Sequence, residues 1–178
     1  MHILFSLLYA PFVFLSLRYF DLKVVSSIIF TIALIWFLIA IKKSFKESIF
    51  PLFYIIVAIL AFSFDNFLLL KSLPLLISIL VSLYFFYSYF TKNSFILLVL
   101  DRLKKEIATN EKEYIQKSTL FWCIISIINI LIHIFVLQSD NINYWIYYSS
   151  IGWYFVFGVA FILQMIHKKI YLKKDTYV

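Results

Sequence analysis

The sequence predicts an all-α fold, a polytopic membrane helix bundle with six transmembrane helices, or five as the alternative count. Three observations carry this expectation. Of 178 residues, 64% are hydrophobic and only 14% charged, against about 45–50% and about 25% in an ordinary soluble domain. The apolar residues gather in long runs, and crossing a hydrocarbon core of about 30 Å takes about 17–25 residues of helix. The basic residues lie between those runs rather than inside them. A soluble fold of this length would leave large apolar patches in water. A disordered chain and a disulfide scaffold are excluded on the same composition.

The first expected span covers 3–20 and closes on Arg18 and Asp21. No basic stretch precedes it and no small-residue cleavage site follows, so a removable signal peptide is not expected. The second, 24–41, closes on Lys42, Lys43 and Lys46. The third, 49–64, carries Pro51 in its expected first turn, where a missing amide costs little. Asp65 and Asn66 then mark a tight turn. The fourth, 72–90, again has a proline early, Pro74. The fifth is 118–138, and the polar string from Ser139 to Asn143 turns the chain into the sixth, 144–166. The first and third runs are the shortest, which is where a five-span count arises. No repeat or Pro/Ser-rich linker interrupts the chain, so 1–178 is expected to form one integral membrane domain.

Between the fourth and fifth spans, Ile96, Val99, Leu100, Leu103 and Ile107 recur at helical spacing, with Asp101, Arg102, Lys104, Lys105 and Glu106 on the other face. This predicts an amphipathic cytoplasmic segment at about 95–107, either lying in the headgroup layer or extending span four.

Six spans sort the 16 basic residues unequally. One side receives Lys42, Lys43, Lys46, Lys92, Arg102, Lys104, Lys105, Lys112, Lys117, Lys168, Lys169, Lys173 and Lys174. The other receives Arg18, Lys23 and Lys71. Basic loops stay in the cytoplasm, so both termini are expected on the cytoplasmic side of a bacterial inner membrane. The net charge of +7 is read as contact with anionic lipid headgroups rather than nucleic acid. Tyr89, Tyr144, Trp145, Tyr147, Trp153 and Tyr171 lie near span ends and fit an interfacial belt.

Polar groups within the spans are the candidates for function. On span five, Trp122, Ser126, Asn129 and His133 form one helical stripe. It reads either as interhelical hydrogen bonding or as a proton- or ligand-contacting surface. Ser78 and Ser82 make a weaker stripe on span four. On span six, Ser149, Gly152, Val156, Ala160 and Gln164 form a stripe of mostly small residues, expected to be a helix-packing seam. Arg18, Asp21 and Asp65 are candidate outer-face polar residues.

No catalytic residue, cofactor or metal site is expected. Acid–base chemistry needs geometrically matched groups, and no second His, Asp or Glu accompanies His133 at mid-membrane. The single cysteine, Cys123, lies in an apolar run and permits no intramolecular disulfide. Two glycines, Gly152 and Gly158, are too few for a phosphate-cradling loop.

Several segments carry a resemblance. They are Leu8-Tyr9-Ala10-Pro11 followed by Leu17-Arg18-Tyr19-Phe20, Leu70-Lys71-Ser72-Leu73-Pro74, and Lys117-Ser118-Thr119-Leu120-Phe121-Trp122-Cys123 with Asn129 downstream. Tyr148, Gly152, Gly158 and the basic tail complete it. In these the chain resembles small bacterial inner-membrane proteins of the intracellular septation protein A family, and a related family that accompanies aryl-polyene and lipid gene clusters. The chain has Gln164 where the resemblance would place a glutamate in some relatives. The resemblance implies a non-enzymatic role in cell-envelope biogenesis or septation. The expected partners are membrane lipids, other envelope or division membrane proteins, and a second copy of the chain. A carrier for lipids or polyene-type lipids is the alternative, followed by a small proton-coupled transporter.

Overall fold

The computed structural model describes residues 2–92, 94, 97 and 109–175, and no strand occurs among them. The helices are α1 (His2–Ser16), α2 (Leu22–Lys43), α3 (Phe45–Phe64), α4 (Phe67–Phe90), α5 (Thr109–Gln138), α6 (Ile142–Tyr147) and α7 (Trp153–Asp175). A π turn, Tyr148–Gly152, joins α6 to α7. The protein is therefore an all-α polytopic helix bundle.

Among the described residues, five stretches are long and apolar enough to cross a membrane: Leu22–Lys43, Glu47–Phe64, Phe67–Phe90, Tyr114–Gln138 and Ile142–Tyr171. The alternative count of five is the one that fits. The expected first span, 3–20, stops short because α1 ends at Ser16 and has 15 residues, about 22 Å at 1.5 Å per residue. Leu17 to Phe20 instead form a hydrogen-bonded turn, Tyr19 and Phe20 both donating to the Ser16 carbonyl. The other helices run past the apolar stretches that predicted them, because polar and charged residues continue a helix as readily as apolar ones. Pro51 and Pro74 accordingly lie one turn deeper than their expected first-turn positions. Apart from Leu97, the expected amphipathic segment 95–107 lies outside the described residues.

The chain forms two compact units. The first comprises residues 1–77 and 133–151, the second 78–132 and 152–178.

In the first unit, α2 buries Val25, Ser26, Ile29, Ala33, Trp36 and Ala40, a stripe spaced by three and four residues that turns one face inward. It packs along α3, whose Ala58 and Ala61 are also fully buried. Small residues on both helices let the backbones approach closely. Tyr54 of α3 holds this layer to α1 by an edge contact with Tyr9 at 5.3 Å, and to α2 through Trp36 at 5.7 Å. The α3–α4 turn is built on Asp65 in the left-handed region, φ 47°. Asn66 then caps α4, its Oδ1 accepting from the Leu68 amide at 2.9 Å. Asn141 caps α6 in the same way, accepting from Asn143 at 3.0 Å.

In the second unit, Phe85, Trp122, Cys123 and Ala160 form a buried apolar cluster, with Phe121 and Phe157 packed against it. Trp122 stacks on Phe157 at 6.2 Å and 13° between planes, and on Phe85 at 6.1 Å. The aromatic side chains of α4, α5 and α7 thus hold this layer together by offset stacking.

Candidate functional site

Two polar constructions stand out, one in each unit. The first surrounds the start of α4. A proline strands the carbonyl four residues before it, since it has no amide to donate. For Pro74 that carbonyl belongs to Leu70, and the Tyr9 hydroxyl donates to it at 3.1 Å from a fully buried position. The next carbonyl, Lys71, accepts from the Trp145 indole at 2.9 Å. Lys71 itself is 6% exposed. Its Nζ donates to the Leu137 carbonyl at 2.8 Å and to the Ser139 carbonyl at 3.2 Å. The last turn of α5 has no basic residue of its own, so a lysine from α4 supplies both donors and positive charge to that helix C-terminus.

The second construction joins α4 to α5. Asn129 donates from Nδ2 to the Ser78 hydroxyl at 2.6 Å. One turn along, Ser82 and Ser126 share a hydrogen bond of 2.9 Å. Further on, Thr119 donates to Ser94 at 3.1 Å. All six residues are buried, none more than 4% exposed. The serine stripe of span four and the polar stripe of span five therefore meet each other.

The remaining stripe residues are used differently. Trp122 lies in the aromatic cluster, and His133, in the first unit, meets the Tyr148 ring edge-on at 4.8 Å. In the expected seam, Ala160 packs against Trp122 and Cys123. Gln164 donates to the Ser118 hydroxyl at 2.8 Å. Ser149 is buried within the π turn, while Gly152 is half-buried. A π turn inserts an extra residue into the helical spiral, so a stripe counted at constant spacing shifts there. Gly158 faces open space. Arg18 lies over the Phe14 ring, 5.7 Å from its centroid. Asp21 occupies the N-cap position of α2 without a side-chain cap bond, and Asp65 shapes its turn. All three are exposed.

No protein-family model, curated protein or solved structure matches the chain.

The chemistry available follows from these contacts. Among the described residues, no group of three or more His, Cys, Asp or Glu is placed to share a metal ion. Three buried side-chain polar atoms there lack a hydrogen-bond partner: Ser26 Oγ, Trp122 Nε1 and Ser149 Oγ. Trp145, expected in an interfacial belt, is instead buried at 1% exposed, and Lys71, expected among the outer-side basic residues, turns inward. Tyr9 carried no expected role beyond the resemblance. The readable signal was Pro74, whose geometry demands an outside donor for Leu70. The sequence reading missed the far end of α5, where the Tyr114 hydroxyl contacts His167 Nδ1 at 3.0 Å and donates to the Gln164 carbonyl at 3.1 Å.

Proposed function

We propose that this chain is a non-enzymatic multi-pass protein of the bacterial inner membrane that supports envelope biogenesis or septation through helix and lipid contacts. The observation that carries the reading is the α4–α5 seam. Its intramembrane polar groups, Ser78, Ser82, Ser126 and Asn129, are directed at one another, which suits a fastening role better than a transport path. The resemblance to septation-type membrane proteins in the segments around Pro74 and Trp122 supports the same reading.

Charge placement supports the orientation. Counting from α2 through α7, the ends carrying Lys42, Lys43, Lys92, Lys112, Lys168 and Lys169 share one side. Arg18, Lys23 and Lys71 fall opposite. The positive-inside rule assigns the lysine-rich side to the cytoplasm. The side of the clustered lysines is the same whether or not α1 crosses, whereas the expected cytoplasmic N-terminus requires that it cross.

The test is deletion of the gene followed by microscopy of septa and measurement of envelope integrity under osmotic stress. Defective septa or leakage, restored by the wild-type gene, is the expected result. Normal division and envelope across osmotic conditions would overturn it.

A further inference from the structure

The Lys23 end of the α2–α3 pair carries an open groove that the helix packing leaves unfilled. Two adjoining hollows of about 440 and 270 Å³ share Ser27, Thr31 and Phe62 in their walls. Lys23 stands at one lip, and Ser26 lines the deeper part with Ala58 and Ile59. Two of the hydroxyls are already used: Ser27 donates to the Lys23 carbonyl at 2.8 Å, and Thr31 to the Ser27 carbonyl at 2.9 Å. Ser26 is different. It is 1% exposed, and its Oγ has no partner. A buried hydroxyl without a hydrogen bond is costly, most of all where no water reaches.

Along the helix axis the groove has an order. Ser26 lies about 4.5 Å below Lys23 at 1.5 Å per residue, and Ile28, Ile32 and Ile59 line the walls beyond. Reading inward, the sequence is cation, hydroxyl donor, hydrocarbon. A glycerophospholipid presents the complement at the same depths: anionic phosphate, ester carbonyl, acyl chain. A packed partner helix offers Ser26 no backbone acceptor, because its backbone groups are satisfied internally.

We infer that this groove is a binding site for one anionic glycerophospholipid. Its phosphate pairs with Lys23, an ester carbonyl accepts from Ser26 Oγ, and one acyl chain lies against Ile28, Ile59 and Phe62. The inference rests on the membrane-embedded reading above and names the lipid contact it requires.

The test is native mass spectrometry of the full-length protein in mild detergent, titrated with phosphatidylglycerol and with phosphatidylcholine. The wild type is expected to hold one phosphatidylglycerol, preferred about fivefold for the contact of its anionic headgroup with one lysine. Lys23→Gln is expected to erase the preference. Ser26→Ala is expected to weaken both lipids by about threefold to tenfold, the worth of one hydrogen bond. Thr31→Trp fills the groove from an exposed position and is expected to expel the lipid. Leu38→Trp, also exposed on α2 but outside the hollows, is expected to retain it. Equal retention by the wild type and Thr31→Trp overturns the site. So does a lipid-free dimer that Thr31→Trp dissociates, which would make a second copy the occupant. A wild type that holds no phospholipid overturns the site while leaving a deletion phenotype intact. Lipid held in a protein whose deletion is silent sustains the site and overturns only the envelope role.

Discussion

Tyr9 and Pro74 are linked through the Leu70 carbonyl. The tyrosine hydroxyl answers a carbonyl that only the proline leaves open. Tyr9→Phe should therefore destabilise the fold by about 1 kcal/mol, the usual net worth of such a bond. In a Pro74→Ala background the new amide bonds Leu70 itself, and the Tyr9→Phe penalty should largely vanish. Thermal unfolding of the four proteins in mild detergent gives this coupling directly. Lys71 carries more. Lys71→Met keeps the bulk of the side chain but leaves the Leu137 and Ser139 carbonyls without their donor. The expected loss is about 1.5–3 kcal/mol, typical of hydrogen bonds to a charged group, read from the same unfolding measurement.

Helix pairs show what a linear pattern can and cannot reveal. A polar stripe gives the face of a helix, and the stripes on α4 and α5 were both visible from spacing alone. Their pairing was not, because nothing in Ser78-x-x-x-Ser82 says which helix it will meet. Asn129→Ala and Ser78→Ala should couple by about 0.6–1.7 kcal/mol, the range for interhelical hydrogen bonds within membranes. Additive effects in a double-mutant cycle would show that the two side chains act independently. The Asp65–Asn66 and Ser139–Asn143 turns were also legible, since short polar residues between apolar runs favour turns and caps. The end of α1 was not. Its hydropathy runs on through Leu17, Tyr19 and Phe20, and hydropathy does not report where hydrogen bonding stops. Likewise, helix starts such as Phe45, Phe67 and Thr109 precede the apolar runs because water ends a span without ending a helix.

At the scale of the whole molecule, composition was enough to predict the class, and the five apolar helices agree with it. Orientation is testable with single cysteines in a Cys123→Ser background. A cysteine at position 66 should react with an impermeant maleimide in intact cells. One at position 169 should react only after permeabilisation. The reverse pattern would invert the proposed topology. Lys71 has a further consequence, in time rather than in space. The carbonyls it caps lie 66 and 68 residues further along the chain, so α4 is made well before its lysine has anything to bind. Lysine is costly inside a span and snorkels to the interface from near a helix end, which keeps this end of α4 near the membrane surface during synthesis. The contact can form only after the end of α5 has been made, which makes it a marker that α4 and α5 have come together.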